Sequence, residues 1–140
     1  MSYELRDHTA DVAVAAAGPT LGAVFAATGD GMAAAMCDDT PESGERFDLT
    51  VGAESREALL FDYLDELIYQ RDVRSVLPVD NEVAVREATG ADTDRWIAEG
   101  SARGVPLAAV SAREIKAVTY SEMELTETDE GWRAYVVLDV

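Results

Sequence analysis

Apolar residues recur along this chain with two different periods, and the switches between them mark out its elements. The opening "SYELRDHTADVAVAAAG" predicts two short strands joined around "DHTAD", with Gly18-Pro19 punctuating their end. Thr20 then suits the N-cap of a helix in which Leu21, Val24, Phe25, Thr28, Met32 and Met36 return every three or four residues. Gly29 and Gly31 weaken that helix by about 1 kcal/mol each relative to alanine. After a loop over "DDTPESGE", Phe47, Leu49 and Val51 alternate on one face of a strand. The next helix, "ESREALLFDYLDELIYQRD", has the sharpest pattern: Leu60, Tyr63, Leu64, Leu67 and Ile68 form one stripe, and Asp62, Asp65, Glu66 and Asp72 face away from it. Beyond a break at Pro78, "NEVAVREATG", "RWIAEG" and two C-terminal stretches predict strands, with "SARGVPLAAVSARE" as an irregular connection. The pattern predicts an α+β fold: a single domain over residues 1–140, with two amphipathic helices packed on one face of a mainly antiparallel β-sheet.

Composition adds a setting. With 140 residues, 48% of them hydrophobic, the chain can close one core without staples, and its single cysteine, Cys37, has no internal disulfide partner. No basic-then-apolar leader or run of about 18 apolar residues is present, which predicts a cytoplasmic protein with no membrane part. The net charge of −17 is spread along the chain, and its positive charges are arginines with the sole exception of Lys116. That balance points to adaptation to high salt. An acidic surface also repels phosphates, so tight direct binding of nucleic acid is not expected. At molar salt the Debye length is only ~3 Å, leaving short-range paired contacts to give specificity.

Candidate chemistry gathers near the C-terminus. "EIKAVTYSEMELTE" and "WRAYVVLDV" read as a hairpin turning at "TDEG". Unbroken alternation places Lys116, Val118, Tyr120, Glu122 and Glu124 on one face, and a turn of even length sets Asp139 opposite Tyr120 or Glu122, on the face of Lys116. The side chain of Asp139 and the α-carboxylate of Val140 are neighbouring anions that repel unless a cation lies between them, and oxygen donors suit Ca²⁺ or Mg²⁺. The same residues also read as a solvated terminus. Asp11 in "DHTAD" can complete an oxygen site, although Asp7 or Asp11 equally suits an Asx turn and His8 a hydrogen-bonded loop role. Cys37 reads as a core or loop thiol, and the dispersed aromatics read as core, not as a platform for bases. No zinc constellation, phosphate-binding glycine loop or nucleophile elbow occurs.

The segments "DHTADVAV", "FDYLDELIYQRD" and "IKAVTYSEMEL…GWRAYVVLDV" together resemble the archease family over nearly the whole chain. The resemblance implies a protein cofactor, itself no enzyme, that activates the RtcB-type tRNA-splicing ligase. It would promote guanylylation of the ligase and multiple turnover and broaden its nucleotide use. The family's metal ligands, usually described with calcium, match Asp11, Asp139 and Val140, and magnesium is an alternative. Positions tied to ligase activation match Lys116 and Glu122. The stretch from Asp92 to Arg113 is divergent and nothing is carried over there. Two other readings stay open: a modulator of another RNA-modifying enzyme, such as a tRNA cytosine methyltransferase, and a direct metal-dependent phosphoesterase. Lys116 stands either as a chance survivor or as a compact ammonium whose task arginine's planar fork cannot perform.

Overall fold

Thr20 and Ser55 open the two helices in the same way. Thr20 Oγ1 accepts the N–H of Ala23 at 3.0 Å, and Ser55 Oγ accepts that of Ala58 at 3.1 Å, each satisfying a donor the helix cannot. The computed structural model describes residues 2–8, 11–88 and 95–140, with the backbone alone for residues 2, 6–8 and 11. Its order is β1 (Ser2–His8), β2 (Asp11–Gly18), α1 (Leu21–Met36), β3 (Glu45–Ala53), α2 (Arg56–Arg74), β4 (Val76–Glu87), β5 (Trp96–Pro106), β6 (Ala117–Thr128) and β7 (Gly131–Asp139). The α+β class stands, but the strands divide between two antiparallel sheets, ordered β1-β2-β7-β6 and β3-β5-β4.

Each helix touches both sheets, which joins them around one core. α1 packs on β1, β2 and β7 of the first sheet and on β4 of the second; α2 packs on β3, β4 and β5 and reaches across to β6. α1 is therefore buried nearly all round, and its glycines serve packing. A Cβ at Gly22 would meet the Val83 carbonyl oxygen at 2.3 Å, and one at Gly31 would meet Val14 Cγ1 at 2.5 Å. The penalty those glycines carry in helix propensity is thus offset by close approach to a sheet on either side. α2 instead buries one stripe, Leu59, Leu60, Tyr63, Leu64, Leu67 and Ile68, together with Arg71.

Two expected interruptions prove to be strand. β4 runs through Pro78, tolerated because β4 is the edge of its sheet. The helix before it ends on Ser75 in the left-handed region (φ 55°), its N–H bonded to the Arg71 carbonyl. β5 continues over Ser101–Pro106, the first part of the segment expected to be irregular. Its glycines admit neighbours: a Cβ at Gly100 would lie 3.1 Å from the Tyr63 ring, and one at Gly104 3.0 Å from Val76. The chain then crosses from Leu107 to β6 under the grip of two arginines. Arg113 Nε donates to the Ala35 carbonyl at 2.8 Å, and buried Arg71 donates through Nη1 to the Ile115 carbonyl at 3.0 Å. Residues 92–94 of the divergent stretch lie outside the described residues.

Candidate functional site

One end of the four-stranded sheet gathers most of the residues singled out above. Asp7 and His8 belong to β1 and Asp11 to β2, with His8 opposite Asp11, so they are strand residues and not a loop. Asp11 in turn lies directly opposite Asp139 of β7. Side chains at directly opposed positions of an antiparallel pair leave the same face with Cβ atoms ~5 Å apart, and two like charges there repel. The side chain of Asp11 lies outside the described residues. That of Asp139 is exposed, while Val140 is half-buried against the core.

The β6–β7 register departs from unbroken alternation. The hairpin starts with Thr128 opposite Gly131 and keeps step as far as Glu124 opposite Tyr135. Continued in that step, Asp139 would meet Tyr120, as expected from the turn. Instead the pairing resumes at Thr119 opposite Val137, so Tyr120–Met123 stand against Val136 alone. Glu122 within this bulge has φ 63°, a left-handed conformation uncommon for a residue with a side chain. The three-residue shift sets Asp139 opposite Ala117 and exchanges the faces. Val118 now joins Met123 and Leu125 against the core, where alternation had opposed them. Lys116 precedes the strand and is exposed; its N–H donates to the Asp139 carbonyl at 2.8 Å.

The register thus brings Asp11, Asp139 and the backbone of Lys116 together, with Val140 following directly. Glu122 is not part of that group: its bulge faces Val136, three residues along β7 from Asp139 and therefore ~10 Å away. Carboxylates are the residue type that suits a hard cation, and the backbone register sets Asp11 and Asp139 at directly opposed positions. Among residues with described side chains, no group of three His, Cys, Asp or Glu could hold a metal, so the fit rests on the Asp11–Asp139 register.

Sequence reasoning missed the partner of Tyr120. Its ring stacks on Phe61 of α2 with centroids 4.2 Å apart and planes within 8°, fastening the bulge to the helix. Tyr120 nevertheless remains 54% exposed, and Tyr69 57%, so the aromatics are not all core. Partial burial, followed by the charges of Asp62 and Glu57, raises the Tyr120 phenol above its usual range. The "FDY" and "TYSE" segments gave no periodic sign of this pairing, which depends on the bulge.

A second polar group lies inside. Asp30 Oδ1 accepts from both the backbone N–H and Nδ2 of Asn81 at 2.9 Å, and the Asn81 side-chain oxygen accepts the Tyr63 hydroxyl at 2.6 Å. Burial pushes the Asp30 carboxyl up, opposed by the two bonds from Asn81. Burial likewise raises the Tyr63 phenol, which acts as a neutral donor. This network is satisfied within itself and reads as structural.

The chain is thus a small α+β protein whose two antiparallel sheets share two helices, with Asp11 and Asp139 in register at one sheet end. The archease protein family (MTH1598/TM1083) matches residues 3–140, and the chain belongs to that family. It is 35% identical over 140 residues to protein archease of Methanosarcina acetivorans, covering 99% of this chain and 95% of that one. The solution structure of Methanobacterium thermoautotrophicum protein 1598 superposes with a TM-score of 0.82 at 31% identity, over 99% of this chain and 98% of that one. The crystal structure of an archease from Thermotoga maritima, described as a possible chaperone, shares the fold with a TM-score of 0.64 at 18% identity, over 96% and 94% of the two chains. No helix among the described residues is long and apolar enough to cross a membrane.

Proposed function

We propose that this protein is the activating cofactor of an RtcB-type RNA ligase in tRNA splicing and holds a divalent cation, calcium or magnesium, at the end of its four-stranded sheet. Family membership supports the activity, and the pairing of Asp11 with Asp139 is the observation that carries the cation site. When bound, the cation neutralises carboxylates that otherwise repel. Asp11, Asp139 and the carboxylate of Val140 are its proposed ligands. Lys116, tied by its backbone to Asp139, offers a mobile ammonium to a phosphate of the nucleotide or to an acidic group of the ligase. Glu122, presented ~10 Å away on the bulge, makes a separate contact. The acidic surface fits an activator that touches protein and leaves RNA to the ligase.

The test is turnover of limiting ligase on a splicing substrate with GTP and manganese, with this protein present or omitted. Turnover that rises well above one product per ligase only when the protein is added supports the reading. Unchanged turnover by a ligase active alone rejects it and favours a modulator of another RNA-modifying enzyme, such as a tRNA cytosine methyltransferase. Chain extension beyond Val140 should weaken divalent-ion binding more than an N-terminal tag does; equal affinities in titration calorimetry would remove Val140 from the ligand set.

A further inference from the structure

The apolar stripe of α2 ends on a charge. Leu64, Leu67 and Ile68 are buried at helical spacing, and the next position of that stripe holds Arg71. Among the described residues it is the most deeply buried charged side chain, 7% exposed. Burying a guanidinium is costly unless its donors are used, and an apolar side chain of similar size often serves a fold's stability as well. An arginine in this position therefore calls for a use beyond filling the core.

Its donors reach three neighbours. Nε donates to Asp72 Oδ1 at 3.0 Å, and Nη1 to the Ile115 carbonyl at 3.0 Å and to Met36 Sδ at 3.4 Å. The Ile115 carbonyl belongs to the same peptide group as the Lys116 N–H, which donates to the Asp139 carbonyl at 2.8 Å. In a planar trans peptide these two polar ends point in opposite directions. One peptide is thus gripped from both sides, by α2 through Arg71 and by β7 through Asp139, directly before the Cα of Lys116. The fully buried Ile115 side chain fixes where the chain passes, and the two hydrogen bonds fix how that peptide is turned.

We propose that Arg71 is a positioning residue for ligase activation, holding the 115–116 peptide so that Lys116 leaves the backbone beside Asp139. The assignment rests on the activator reading above. At its depth Arg71 acts through Lys116 and not on the ligase. Its planar fork serves Asp72 and the Ile115 carbonyl together, whereas a lysine there offers one compact donor group.

The test is multiple turnover by limiting ligase at saturating wild-type protein, Arg71→Met and Arg71→Lys, each with and without Lys116→Ala, below every variant's melting temperature. Arg71→Met alone should lower the activated rate about tenfold and Arg71→Lys by about threefold at most, and Arg71→Met should have no further effect once Lys116→Ala is present. Arg71→Gln, too short to keep the carbonyl, replaces Arg71→Met in the cycle if that variant does not fold. In amide hydrogen exchange of the protein alone, the Lys116 N–H should lose at least about tenfold protection in Arg71→Met while the amides of α1 keep theirs. Equal fold losses with and without Lys116→Ala would make Arg71 a support of the fold only and overturn the assignment. A wild-type rate in Arg71→Met, unchanged protection of the Lys116 N–H, or full activation by Lys116→Ala overturns it as well, and each of these leaves the activator reading intact. No stimulation by the wild-type protein rejects the activator reading and the assignment together.

Discussion

Two edge strands of this molecule carry bulges with an acidic residue at positive φ, and they turn in opposite directions. In β4, Asp80 at φ 51° and Asn81 together stand in the place of one partner residue, and the bulge turns Asn81 inward to 3% exposure. In β6, Glu122 at φ 63° lies in a longer excursion that turns Tyr120 and its neighbours outward. The first bulge fills a hole with a polar group that Asp30 and Tyr63 satisfy. The second resets the register of an acidic sheet end and leaves Tyr120, Ser121 and Glu122 exposed. Edge strands accommodate both because one side of each ladder is free to deform. Under the function proposed above, the first bulge serves stability and the second serves activation.

Breaking the inner bulge should have the largest effect on stability. Asn81→Ala strands the Tyr63 hydroxyl and removes the side-chain one of the two bonds to Asp30, costing about 2 kcal/mol in chemical denaturation while leaving ligase activation intact below the new melting point. Tyr120→Ala removes the stack on Phe61 and should cost about 1 kcal/mol, yet lower activation about tenfold by freeing the outer bulge. Glu122→Gly sharpens the contrast further, since glycine accepts the left-handed conformation: stability should hold or rise by up to about 1 kcal/mol as activation falls. Equal, parallel losses of stability and activation in these last two variants would count against a presenting role.

The smallest expected effect concerns pH. Because burial raises the folded-state pKa of Asp30, its contribution is fully present below the unfolded value and is lost as pH rises through the folded one. Asp30→Asn, which keeps an oxygen for both donors of Asn81, should therefore be slightly more stable than wild type at neutral pH, and the gap should close in acid. A gap that widened in acid would mean that the ionised carboxylate is the stabilising form.

The helices and most strands were legible because their periods are local properties. The cap at Thr20, the stripe of α2 and the C-terminal hairpin all follow from residue type and spacing. The division into two sheets was not legible, since it depends on which strands the helices bridge. The continuation of β5 through "SARGVP" was expected to be irregular because sequence does not show the ring of Tyr63 lying over Gly100 or the Val76 side chain over Gly104. "PVDN" carried a usable sign of the inner bulge, as Asp and Asn tolerate left-handed φ. The outer bulge left none: Val118, Tyr120, Glu122 and Glu124 imitate regular alternation, and nothing about Glu122 announces positive φ. The acidic sheet end was legible as a set of residues, but the pairing behind the proposed site needed the register of three strands.

The central claim is that this register makes a cation site of Asp11 and Asp139. Calorimetric titration of calcium into the wild-type protein and into Asp139→Asn tests it most directly, with melting temperatures measured alongside. The account predicts one site per chain in the wild type, and a loss of at least about tenfold in affinity for the variant with the fold intact. Undiminished calcium binding by Asp139→Asn, or none by the wild-type protein, would contradict it.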